Sequence, residues 1–237
     1  MWKDKKVSVI FPTYNEKESI YSTIQDFFAS SYVDEIIVVN NNAAPGTTEE
    51  VRKTKAKLVF EKKQGYGFAI QKGLKQAKGD IIIISEPDGT FLGKDVLKFL
   101  SYSDDFDVVF GTRTTSALIG EGANMGFFLK WGNWFTAKVL ELLFNTTHLS
   151  DVGCTYKLFK KNALKKIQSQ FSTGGSSFGL EMTILTILSR AKFVEIPVNY
   201  RERVGKSTVT GSKYKAFLLG LQMLAMIFRY RFLHKRS

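Results

Sequence analysis

IIIISEPDGTF, residues 81–91, is the stretch on which the fold turns. Four isoleucines in a row, with no polar alternation, describe a strand covered on both faces, as in a parallel sheet. That strand runs straight into Glu86 and Asp88, two carboxylates held one residue apart around Pro87. In open α/β sheets, ligands bind outside the carboxyl ends of the strands, so the acids stand where a ligand is expected.

The same rhythm extends outward in both directions. Residues 6–12 read as a first strand, and a helix follows over 18–30 with Ile20, Ile24, Phe27 and Phe28 at helical spacing. Residues 35–39 (EIIVV) form a second strand that ends in three asparagines. A helix at 48–54, a strand at 58–60, a helix at 67–77, the isoleucine strand at 81–85, a helix at 94–101 and a strand at 106–110 complete the first half. Strands alternating with helices predict a Rossmann-like α/β fold, a mostly parallel sheet covered by helices. Four strand ends are polar or glycine-rich, PTYNE, NNNAAPG, EPDG and GTR, which places them together on one edge.

After residue 113 the character changes. Residues 126–144 predict a long amphipathic helix, 164–167 and 182–189 further helices, 193–197 a strand, and 213–231 a last helix with basic ends. The expected organisation is an α/β domain over 1–212 and a basic amphipathic helix over 213–237. The last apolar run is too short to span a bilayer, which takes about 20 apolar residues. Such a helix lies in the membrane interface with its basic ends on anionic head groups, or docks on the core or a second copy.

Charge follows the same division. Residues 1–110 carry 15 Lys and Arg against 16 Asp and Glu, while residues 111–237 carry 19 against 6, a net of +13. A half so basic is expected to face an anion: a lipid head group, a phosphorylated substrate or nucleic acid. Nucleic acid is not expected, since no RNA-binding aromatic motif or zinc spacing accompanies the charge. One cysteine, Cys154, forbids an internal disulfide and fits a reducing compartment, and two histidines do not suggest zinc. The N-terminal apolar run is too short for a signal peptide, so the expected location is cytoplasmic.

Two carboxylates on one turn can both reach a hard divalent cation, and Mg2+ sites typically combine one or two carboxylates with substrate phosphates. Pro87 stiffens the turn and Gly89 admits close backbone approach. Pro-Asp-Gly is also ordinary turn sequence.

Seven segments in order resemble the family 2 glycosyltransferases of GT-A fold, closest to the dolichol- and polyprenol-phosphate mannose synthases. FPTYNE resembles the family's P-x-Y-N-E loop, VVNNNAAPGT its V-D-D-x-S-x-D-G-T turn, and KKQGYGFAIQKGLKQAKGD its G-x-G-x-A…A-x-G-D segment. EPDGTF stands at the D-x-D, GTR at G-S-R, DVGCTYKLF at D-x-x-S-G-F-R, and VEIPVNYRERVGKST at E-I-P-x…R-x-x-G-x-S-K. The resemblance implies a nucleotide-sugar donor held by Pro12, Tyr14, Glu16, Val39 and Asn41. It implies Mg2+ or Mn2+ at Glu86 and Asp88 beside Pro87, with Arg113 and Arg203 facing phosphates. Three positions depart from the pattern. Asn40 and Asn41 replace two aspartates, Glu86 replaces the first acid of D-x-D, and Ser207-Thr208 lacks the family's lysine, leaving Lys206 as either its substitute or a solvated loop lysine. Because asparagine both donates and accepts hydrogen bonds, the base or ribose preference can differ from the family's, and the expected donor is a GDP- or UDP-sugar.

An inverting transfer is implied. A lipid-phosphate acceptor would need cations, with Arg113, Lys130 and Arg203 as candidates. A glycan hydroxyl would need a carboxylate base, and Glu181 and Asp151 are the two candidates. Trp131, Trp134 and Phe135 read either as helix core or as a greasy path for a lipid acceptor. The expected setting is peripheral, at the cytoplasmic face of a membrane. A non-catalytic nucleotide-sugar-binding protein is the third reading.

Overall fold

Seven strands form one sheet in the order β3-β2-β1-β4-β6-β5-β7. A computed structural model describes residues 1–123, 126–205 and 213–233. In chain order the elements are β1 (Val7–Thr13), α1 (Lys17–Ala29), β2 (Glu35–Asn40), α2 (Thr47–Arg52), β3 (Lys57–Phe60), α3 (Tyr66–Gln76), β4 (Ile81–Ile84) and α4 (Val96–Tyr102). They continue with β5 (Val108–Thr112), α5 (Phe127–Phe144), β6 (Lys157–Lys160), α6 (Lys161–Ile167), α7 (Phe178–Leu188), β7 (Phe193–Pro197) and α8 (Lys213–Phe232).

The isoleucine strand β4 sits mid-sheet between β1, its parallel neighbour, and β6, its antiparallel one. Successive side chains of a strand point to opposite faces. Ile82 and Ile84 therefore join one core, with α3, α5, α7 and α8, and Ile81 and Ile83 join the other, with α1 and α4. All four are buried, each contributing roughly 1.5–3 kcal/mol. The second core closes around Tyr156, whose ring lies 4.4 Å from Phe99 and 5.2 Å from Phe91.

Two strands differ from the sequence expectation, and the helices expected at 164–167 and 182–189 begin earlier, at Lys161 and Phe178. The strand placed at 106–110 runs two residues later, Val108–Thr112, so Arg113 follows its last residue directly. β6, absent from the sequence reading, is among the described strands the one running against the rest, pairing antiparallel with β4 and β5. KLFK is short and half charged, so neither an apolar run nor a turn signal marks it. Its reversal has a consequence for the site: β6 begins, rather than ends, at the edge where β1, β2, β4 and β5 end.

The last helix docks on the core by one face, where Met223, Ile227 and Tyr230 are buried. Phe217, Leu218, Leu221, Phe228 and Phe232 stay exposed on it. Docking and an exposed apolar face thus coexist in the same helix. Among the described residues, no helix is long and apolar enough to cross a membrane.

Candidate active site

The strand ends converge on a cleft of about 710 Å³. Pro12, Tyr14, Glu16, Asn41, Glu86 and Pro87 line one side, and Arg113, Tyr200 and Arg203 close it. The opposite wall is apolar and comes from two helices, with Leu129 and Phe135 from α5 and Phe217, Leu221, Met223 and Leu224 from α8.

Each loop is locked by its own polar side chains. Glu16 Oε2 accepts hydrogen bonds from Thr13 Oγ1 (3.1 Å), Tyr14 N (2.6 Å) and Asn15 N (2.9 Å), folding PTYNE over the end of β1. Asn41 donates through Nδ2 to the carbonyls of Glu61 (2.8 Å) and Lys63 (2.9 Å), and its Oδ1 accepts from Gln64 Nε2 (3.2 Å) and Gly65 N (2.8 Å). Asn40 Nδ2 donates to Thr48 Oγ1 at 3.0 Å and its Oδ1 accepts from Ala43 N at 2.9 Å. The amide groups of both asparagines are therefore directed at this chain itself. At Asn41 that accounts for the departure from aspartate, because a carboxylate could not donate to two carbonyls, whereas the Thr48 hydroxyl facing Asn40 could also donate to an aspartate.

The EPDG turn is built the same way. Gly89 has φ of 81°, a left-handed conformation that favours glycine, and Asp88 Oδ1 accepts from Thr90 N (3.0 Å) and Thr90 Oγ1 (2.6 Å). Ser19 of α1 donates to the Pro87 carbonyl at 2.7 Å. Arg203 Nη2 lies 2.7 Å from Glu86 Oε2 and 2.5 Å from Asp88 Oδ2, with Nη1 3.9 Å from Glu16 Oε1. The contact to Asp88 is an ion pair out of hydrogen-bond alignment, so Oδ2 is a fully buried oxygen without a donor. Burial first, and then the neighbouring Asp88 charge, push Glu86 up to about 8 against the pull of Arg203.

Two carboxylates with one unsatisfied buried oxygen suit a divalent cation whose other ligands come from a diphosphate. Among the described residues, no three acidic, histidine or cysteine side chains could hold a metal by themselves.

Arg113 makes a two-pronged pair with Asp151, Nε to Oδ2 at 2.7 Å and Nη2 to Oδ1 at 2.9 Å, and its backbone N–H adds a third bond at 3.0 Å. Its guanidinium stacks 5.2 Å from the Tyr200 ring. Glu195 holds the next layer, accepting from Ser150 N and Oγ and from Asp151 N. Burial alone would raise Asp151, but the Arg113 charge and hydrogen bonds hold it below the usual carboxylate range.

Glu181 lies outside the cleft wall. Its carboxylate accepts from Ser172 N and Oγ (3.0 and 2.5 Å), Thr173 N and Oγ1 (3.0 and 2.8 Å) and Tyr230 Oη (2.7 Å). Burial pushes this group up, and the bonds from Ser172, Tyr230 and Thr173 more than offset it, so Glu181 is held low. Glu181, one of the two candidate bases for a hydroxyl acceptor, is geometrically a clamp between α7, the loop before it and α8. Val39 also departs from expectation: it is wholly buried in the core beneath the site. Lys206 lies outside the described residues. From α5, Phe135 reaches the cleft, whereas Lys130, Trp131 and Trp134 do not line it.

Sequence reasoning passed over Tyr66 and Tyr200, which line the cleft, Glu195 behind Asp151, and Lys157. Lys157 is buried in β6, its Nζ 3.3 Å from Thr183 Oγ1 and 4.4 Å over the Phe110 ring, and burial lowers its pKa. The signal available was a lysine inside DVGCTYKLF, two residues after the cleft-lining Thr155.

Comparison with known proteins adds to this geometry. Residues 8–168 match the family model for glycosyl transferase family 2. A dolichyl-phosphate hexose transferase of Haloferax volcanii is 26% identical over 202 residues, 85% of each chain. A dolichyl-phosphate beta-glucosyltransferase of Saccharomyces cerevisiae is 25% identical over 244 residues, 92% of this chain and 71% of that one. Crystals of glucosyl-3-phosphoglycerate synthase from Mycobacterium tuberculosis, with Mn2+, UDP-glucose and phosphoglyceric acid, share the fold at a TM-score of 0.73. At 14% identity over 96% of this chain and 80% of that one, that likeness speaks for the fold alone.

Proposed function

We propose that this chain, which belongs to glycosyl transferase family 2, moves a sugar from a nucleotide-sugar donor to a polyprenyl or dolichyl phosphate at a membrane surface. The observation that carries the proposal is the composition of the cleft, which has acids and arginines at one end and an apolar wall from α5 and α8 at the other. A charged diphosphate suits the first, and a lipid chain suits the second. Both similar transferases bear names that include dolichyl phosphate, and a crystallised structural neighbour holds Mn2+ and UDP-glucose.

Glu86 and Asp88 would hold Mg2+ or Mn2+, which when bound neutralises charge on the departing diphosphate. Glu16 and Asn41 keep the donor loops in shape by spending their side chains on the backbone. Arg113, fixed in orientation by its pair with Asp151 and by Tyr200, lines the cleft as the candidate contact for an anionic acceptor. An acceptor phosphate oxygen attacks the anomeric carbon as the bond to the diphosphate oxygen breaks on the opposite face, inverting the configuration. A phosphate oxygen already carries negative charge near neutral pH, so no base is needed. This favours phosphate over a glycan hydroxyl, because both candidate bases, Asp151 and Glu181, have their oxygens committed to structural partners. The exposed apolar side of α8 and the basic second half of the chain suit a peripheral seat on an anionic bilayer.

The test is incubation with Mn2+ or Mg2+, radiolabelled UDP- and GDP-sugars and polyprenyl phosphate, counting label in the organic phase. Metal-dependent label that disappears with Asp88→Ala is the expected result. A donor bound with metal but never delivered to lipid would overturn the acceptor assignment.

A further inference from the structure

We infer that Arg203 occupies the cation position of the donor site in the free enzyme, so that a divalent ion must displace it on entry. The inference rests on the reading that Glu86 and Asp88 hold that ion. A single nitrogen, Nη2, bridges both candidate ligand carboxylates, at 2.7 Å from Glu86 and 2.5 Å from Asp88, and the guanidinium approaches Glu16 as well. One positive charge thus sits among the side chains of Glu86, Asp88 and Glu16, the first two of which would hold the ion.

The segment bearing Arg203 is fastened to the same turn. Val204 N donates to the Asp88 carbonyl at 2.9 Å, and Arg201 N donates to the Thr90 carbonyl at 2.9 Å. These two bonds flank Arg203 and hold its side chain over the acids.

The occupancy is imperfect in a telling way. A guanidinium has directional N–H donors, and its approach to Asp88 Oδ2 leaves that buried oxygen without an aligned hydrogen bond. A metal ion has no such directional donors and can satisfy both carboxylates at once. Once displaced, the guanidinium is left beside the ion, where the donor's diphosphate arrives, and its fork of donors matches phosphate oxygens. Arg203 is then a positioning residue with two partners, the acids before the donor binds and the diphosphate afterwards.

Mn2+ binding, followed by the electron paramagnetic resonance signal of the free ion with no nucleotide or acceptor present, tests this directly. The apparent affinity of a site scales with the fraction of time it is competent, so if the plug is docked about nine-tenths of the time its removal tightens binding about tenfold. Arg203→Gln and Arg203→Met should both bind Mn2+ about tenfold tighter than the native chain, and Asp88→Asn should bind none. Equal or weaker binding by both Arg203 variants, with Asp88→Asn still inactive in binding, overturns the displacement and leaves the cation site standing. Undiminished Mn2+ binding by Asp88→Asn removes the cation site itself, and the inference with it.

Discussion

Asn41→Asp restores the residue type that the resembled family carries at this position, and it should destabilise this protein. Asn41 is 3% exposed and uses both N–H groups on the carbonyls of Glu61 and Lys63. An ionised aspartate turns an oxygen onto those two carbonyls, at 2.8 and 2.9 Å in the present geometry. Two donated hydrogen bonds disappear, and two carbonyls lose their donor at a cost of about 1–3 kcal/mol each. The bonds from Gly65 N and Gln64 survive and limit the loss, giving a net of about 3 kcal/mol. For a chain of this length each kcal/mol moves the melting temperature by roughly 2–4 °C, so a fall of about 10 °C is expected. The facing carbonyls disfavour the charged carboxylate, so its folded pKa lies above the unfolded value of about 3.9. A raised folded pKa means that stability is present below the unfolded pKa and is lost as pH rises toward the folded one. The deficit should therefore be smallest near pH 4 and largest at neutral pH. Calorimetric melts of both proteins from pH 4 to 8 measure it. Equal melting temperatures at pH 7 would show that the loop from 61 to 65 does not depend on the Asn41 amide.

Asp151→Asn leaves Arg113 buried beside a neutral partner and should cost about 3–5 kcal/mol. Because Asp151 has a depressed pKa, its contribution is present above the unfolded carboxylate value and is lost as pH falls through the folded one. Acid unfolding of the native chain should carry that loss, and the Asp151→Asn variant should show a flatter acid limb. Glu181→Gln should loosen α8, seen as faster amide hydrogen exchange in residues 213–233, with any loss of turnover tracking that exchange. Lost turnover with unchanged exchange would return Glu181 to the role of base.

What the sequence determined by itself was the layered α/β plan and the edge that carries the site. Those follow from periodicity and from polar strand ends, which are local properties of the chain. Ile81 to Ile84 announced a doubly covered strand, and PTYNE, EPDG and GTR announced the loops that line the cleft. Pro12, Tyr14, Glu16, Asn41, Glu86, Arg113 and Arg203 all reach its wall. Only the tertiary structure decided what each polar group faces. Asn41, 20 to 24 residues from its partners, and Glu181, 49 from Tyr230, spend their side chains on the fold. Arg203 meets Glu86 across 117 residues. β6 was illegible because its neighbours, not its own four residues, make it a strand. Hydrogen-bond partners and ion pairs are set by which segments the sheet brings side by side, and no local spacing encodes that.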